Sequence, residues 1–194
     1  MASLWAKIWP FGRSGADPAS SPAMRALVSN LHYEIVPMKS IEQAIEDLPP
    51  DAHVSVTCSP AKGIAATQDY TLRLLDLGHH AVPHFAARLV EGPDHAVKLA
   101  GWLREHGIES LFVIAGDAPE PVGPYEGALP FIRDLLDADP GLTRLGITGY
   151  PDGHALIEPA VVTEQLHAKQ ALLAEAGVPG WVSTQMCFDE DRIR

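Results

Sequence analysis

The chain has 194 residues, enough for one domain with a substantial core, and 46% of them are hydrophobic. A formal net charge of −11 speaks against nucleic acid as a partner, so any site for an anionic cofactor must be built locally. No apolar run approaches the roughly 20 residues that span a bilayer, and two cysteines are too few for a disulfide framework, so no membrane contact and a reducing, cytoplasmic setting are expected.

Residues 1–30 read as a flexible N-terminal extension and 31–194 as the domain proper. Gly12 to Pro22 is rich in Gly, Ser, Ala and Pro and promises little fixed structure. From Leu31 onward, short apolar or β-branched runs alternate with amphipathic stretches. The first run, HYEIVP (32–37), is followed by a helix opening at Ser40, a candidate N-cap. HVSVTC (53–58) leads through Ser59–Gly63, which reads as a flexible anion-binding loop, to a helix over 68–77. HAVPHF (80–85) precedes a helix over 93–106 that stops at Gly107. SLFVIAG (110–116) precedes one over 125–137, and RLGITGY (144–150) one over 160–176. WVSTQMCF (181–188) is the sixth strand. Strands joined by crossover helices predict a parallel sheet, with strands buried on both faces. The first strand ends in Val36-Pro37-Met38-Lys39, without the glycine-rich loop of a dinucleotide-binding sheet.

Polar residues recur at the strand ends: Glu34, Thr57, His84, Asp117 after Gly116, then Tyr150 and His154, then Gln185. In a parallel barrel such ends converge on one mouth. Taken singly each has an ordinary structural account, such as a turn at Tyr150–Gly153 or a satisfied histidine at 84. Glu34 stands out, because a carboxylate in an apolar strand is costly to bury unless it is paired or has a raised pKa. Metal binding is not expected, since neither HExxH nor a paired Cys/His spacing occurs.

In this order the motifs YEIVPMKS (33–40), VSVTCS (54–59), VPHFAARL (82–89), FVIAGDAPEPVGPYEGAL (112–129), LGITGYPDGHALIE (145–158) and STQMCFDED (183–191) resemble the methylenetetrahydrofolate reductase family, in its divergent branch. The resemblance implies a (β/α)₈ TIM-barrel domain, here incomplete, with about six of its units present. It implies hydride transfer from NADH or NADPH by way of FAD to 5,10-methylenetetrahydrofolate, giving 5-methyltetrahydrofolate. Glu34 would be the general acid that opens the folate ring. Asp117 would stabilise the resulting cation, and Gln185 would hold the pterin. Thr57, His84, Gly116, Asp117, Tyr150, His154 and Lys169 would contact the flavin. Where the family has an arginine before Gly-Asp, this chain has Ala115, and its last helix carries Leu166, Leu172 and Leu173 where the family is polar. With the seventh and eighth units missing, the edges of the first and sixth strands are left open to self-association. A catalytically impaired chain that binds folate or a partner, and a folate-dependent methyl-transfer protein, are the alternative functions.

Overall fold

The computed structural model describes residues 21–155 and 157–193. The chain divides into Met1–Leu31 and His32–Arg194. Of the extension expected over 1–30, residues 1–20 lie outside the described residues, while Pro22–Ser29 form a helix, α1. Its start is locally determined: Pro22 occupies the first turn, and Ser21 Oγ accepts the Met24 N–H at 3.0 Å.

The second unit is built from six strands: β1 (His32–Ile35), β2 (His53–Val56), β3 (His80–Ala86), β4 (Ser110–Ile114), β5 (Arg144–Gly149) and β6 (Gly180–Thr184). Helices α2 (Ile41–Glu46), α3 (Gly63–Asp76), α4 (Pro93–Glu105), α5 (Ala128–Asp137) and α6 (Pro159–Glu175) alternate with them. All pairings are parallel and the order is β1-β2-β3-β4-β5-β6. The α/β class therefore holds, but the (β/α)₈ TIM-barrel class does not. Strand and helix alternate as in Rossmann-like α/β domains, and the sheet is open. Closure would require β1 to pair with a last strand, and among the described residues the outer edges of β1 and β6 have no partner.

Burial on both faces holds only for parts of β3, β4 and β5, which carry consecutive buried residues, and not for β1, β2 and β6. With right-handed crossovers and an order that never reverses, every helix falls on the same side of the sheet. Ile35, Val54, Val56, Phe85, Val113 and Ile147 project to that side and join residues of α2 to α6 in the core. The alternate residues form a polar row on the other face, in register across β1 to β3: His32, His53 and His80, then Glu34, Ser55 and Val82. The cavity on that face is lined by strand residues alone, and no described helix is long and apolar enough to cross a membrane.

Element bounds shift where local bonds outrank pattern. α3 begins five residues earlier than expected, because the Lys62 and Gly63 N–H groups both donate to Ser59 O and turn the chain directly into the helix. Ser59–Gly63 is thus a hydrogen-bonded turn rather than a flexible loop. α5 begins at Ala128 rather than Tyr125, since the buried Tyr125 hydroxyl donates to Asp134 Oδ2 at 2.5 Å from outside the helix.

Candidate functional site

Parallel strands of one sheet end on one side, so their carboxyl termini gather what the sequence had spread out. Glu34, Thr57, His84, Gly116, Asp117, Tyr150 and Gln185 line a single cavity of about 500 Å³. Two of them are held by backbone pairing just past their strands. The Thr57 N–H donates to Ile35 O at 3.0 Å, and that of Gln185 to Gly149 O at 2.9 Å. Two expected members lie elsewhere. His154 is in the β5–α6 connection, its ring edge-on to Tyr150 at 5.0 Å, and does not line the cavity. Lys169 lines the next one.

That neighbouring pocket, of about 380 Å³, shares Thr148, Gly149 and Tyr150 with the first and is otherwise formed by the start of α5 and one side of α6. Lys169 is only 6% exposed in it. Its Nζ donates to Thr148 O at 3.3 Å and to Thr148 Oγ1 at 3.5 Å, and it has no carboxylate partner among the described residues. Burial pushes the Lys169 pKa down. The leucines of α6 do not compete for the site: Leu173 belongs to the core and Leu166 forms the apolar wall of the pocket.

Electrostatically the first cavity is mixed. Burial pushes the His84 imidazole down to about 4, so at neutral pH it is an uncharged donor and acceptor, its ring tilted on Phe112 at 4.7 Å. Glu34 is exposed on the uncovered face, so the chain itself does not supply the desolvation expected of an apolar strand. Burial pushes the Cys58 thiol up, which makes it a poor nucleophile. Thr57 Oγ1 is buried with no hydrogen-bond partner, although Thr67 Oγ1 donates to the Thr57 carbonyl at 3.0 Å. An orphaned buried hydroxyl is a cost that the fold carries. Thr57→Val should leave the fold as stable or more so, because it removes a buried hydroxyl that has no partner. Thermal melts of the two proteins check it.

Arg88 is the functional residue that sequence reasoning missed. Its Nε donates to Ala118 O at 2.8 Å, its Nη2 to Pro119 O at 2.8 Å and its Nη1 to Glu126 Oε2 at 2.9 Å. One side chain therefore fixes the loop that begins with Asp117. The loop can pass this close because residue 116 is glycine: its φ is +93°, and a Cβ there would lie 2.8 Å from Ala86 Cβ. The available signal was Arg88 itself, in the ARL that follows the β3 histidine.

No protein-family model matches the sequence. Among solved structures, the Citrobacter sp. triphenylmethane reductase complexed with NADP(H) aligns at 10% identity with a TM-score of 0.38, over 83% of this chain and 51% of that one. The chain thus spans about half the length of that protein, and the likeness is too slight to bring its chemistry here. Among the described residues no group of three or more His, Cys, Asp or Glu side chains could hold a metal ion.

Proposed function

We propose that this chain is a flavin-dependent oxidoreductase of the methylenetetrahydrofolate reductase kind, using NADH or NADPH to reduce 5,10-methylenetetrahydrofolate to 5-methyltetrahydrofolate. The supporting observation is that seven residues picked from separate motifs line one cavity, which adjoins a pocket holding a buried, uncompensated lysine. The residues present suit a flavin dinucleotide. Lys169 Nζ and the N–H groups at the start of α5, which lack a side-chain cap, offer positive potential to a diphosphate. Thr57 Oγ1 has a free hydrogen-bonding site, and His84 offers a neutral one.

FAD, when bound, supplies the two-electron carrier between nicotinamide and folate. The chain's own residues handle position and protons. Glu34 donates a proton to the folate N10 as the bond from N10 to the methylene carbon breaks. The Asp117 carboxylate faces the cation left on N5 and its methylene carbon, and Gln185 holds the pterin edge. Per turnover one NAD(P)H and one proton are consumed; the hydride ends on the methylene carbon and the proton on N10.

The purified protein with added FAD should show a saturable flavin spectrum, bleached by NAD(P)H without oxygen and restored by methylenetetrahydrofolate. A folded protein that takes up no FAD overturns the reading. A second reading, folate binding without turnover, is favoured by the solvent exposure of Glu34. Calorimetry with folate in the absence of flavin, combined with no hydride transfer in its presence, would support it instead.

A further inference from the structure

Below the strand-end cavity, the uncovered face runs down to the amino ends of the strands, where its chemistry changes. On β1, β2 and β3 the imidazoles of His32, His53 and His80 stack in sequence, with centroids 5.1 and 4.5 Å apart. On the other half of the sheet, Arg144 of β5 is paired in register with Ser110 of β4. Arg144 Nε donates to Ser110 Oγ at 2.7 Å, and its guanidinium lies over the Trp181 ring at 5.4 Å. Trp181 in turn tilts on Phe112 at 6.0 Å, a contact possible only because β5 has Gly146 there: a Cβ would come within 2.3 Å of Phe112 and 2.4 Å of Trp181.

Arg144, Trp181 and Phe112 share a cavity of about 420 Å³ with His32, Glu34, His84 and Ser183. Arg144 has no carboxylate within ion-pair distance among the described residues, and neither terminal nitrogen has a hydrogen-bond partner there. A surface arginine is ordinarily mobile and solvated. Here Ser110 fixes Nε and Trp181 fixes the plane, so the two terminal nitrogens form a pre-organised fork beside an aromatic wall.

We propose that this cavity is a second binding site, for a planar aromatic carboxylate. The carboxylate accepts from both terminal nitrogens of Arg144, and the aromatic body lies against Trp181 and Phe112. The charged and titratable groups around it set the orientation. His32 lines the amino-end side with His53 stacked behind it, Tyr33 and the uncharged His84 line the wall, Asp51 is engaged with His80 at 3.0 Å, and the Glu34 carboxylate repels an anion from the strand-end side. The anionic group therefore sits at the Arg144 end. The cavity shares Glu34, His84, Phe112 and Ser183 with the strand-end cavity, and what sets it apart is Arg144 and Trp181, which line it alone of the two.

The test is calorimetry on the full chain with 2-naphthoate and with 2-naphthamide, its uncharged counterpart. The naphthoate should bind at least about tenfold more tightly, as a charge-assisted pair requires. Arg144→Gln should remove that preference, and Lys169→Gln should leave it intact. In the wild-type protein, the indole N–H resonance lost in Trp181→Phe should shift as naphthoate is added, a readout independent of any arginine variant. Equal binding of acid and amide, no saturable binding, a preference that follows Lys169 instead of Arg144, or an unmoved Trp181 resonance would each overturn the proposal.

Discussion

Acidifying the protein from pH 7 to pH 4.5 should cost its fold about 2.5 kcal/mol through one side chain, His84, whose pKa is held near 4 by burial. The sign follows from where protons bind. An unfolded chain protonates this imidazole near 6.5, whereas the folded chain resists until about 4. Between those values the unfolded state carries the extra proton, so the stability present above 6.5 falls as pH drops and the loss levels off below 4. His84 is 7% exposed, so solvent does little to screen the effect. The position is not a convenience of packing. Its partner across the β3–β4 pairing is Phe112, which gives a neutral ring an apolar neighbour and a charged ring no counter-ion. His84→Gln should be less stable at pH 7, because it gives up the ring contact, yet it should lose less stability than the wild type between pH 7 and 4.5, by the share that His84 carries. Denaturant melts of both proteins at pH 7 and 4.5 decide it; parallel losses in the two would show that carboxylates, and not this imidazole, dominate. For function, the same burial keeps an uncharged hydrogen-bonding group at the cavity wall throughout the physiological range.

His84 also shows what could and could not be read from sequence. The six strands were legible because each is a short apolar or β-branched run bounded by turn residues, and the row at their ends was legible because parallel strands must finish on one side. Open edges on the first and sixth strands were expected from the count of six units, and not from the strands themselves. Whether a sheet closes depends on pairing between its first and last strands, and no local pattern in His32–Ile35 or Gly180–Thr184 reports on that. The bare face, by contrast, did leave a trace. His32 and Glu34, then His53, Ser55 and Thr57, repeat at every second residue, which is the period of a strand with one wet side. The apolar residues between them obscured it. Distances within the site were beyond reach for another reason: His154 follows Tyr150 by four residues, but the turn at Pro151–Gly153 carries it off the cavity. Arg88 acts on carbonyls thirty residues away in sequence, a bond that no motif spacing encodes.

Replacing Lys169 separates the fold's interest from the site's. A buried ammonium whose only partners are the carbonyl and hydroxyl of Thr148 is a net burden on folding, as its lowered pKa reflects. Lys169→Met keeps the length and the apolar stem and removes the charge, so the ligand-free protein should gain stability, in the direction that the lowered pKa gives. The linkage has a definite direction. Because the folded pKa lies below the unfolded value, wild-type stability should rise with pH across the interval up to about 10.5, and the variant should lose that slope. The opposite holds for binding. If Lys169 Nζ faces a phosphate of the cofactor, its loss should weaken FAD affinity about 10- to 100-fold, the worth of a charge-assisted hydrogen bond in a dry pocket. Equilibrium dialysis against FAD and melts from pH 7 to 10 measure the two effects separately. A variant that is less stable and binds as before would make Lys169 a structural post; one that is more stable and binds poorly identifies a charge that the fold tolerates for the sake of its ligand.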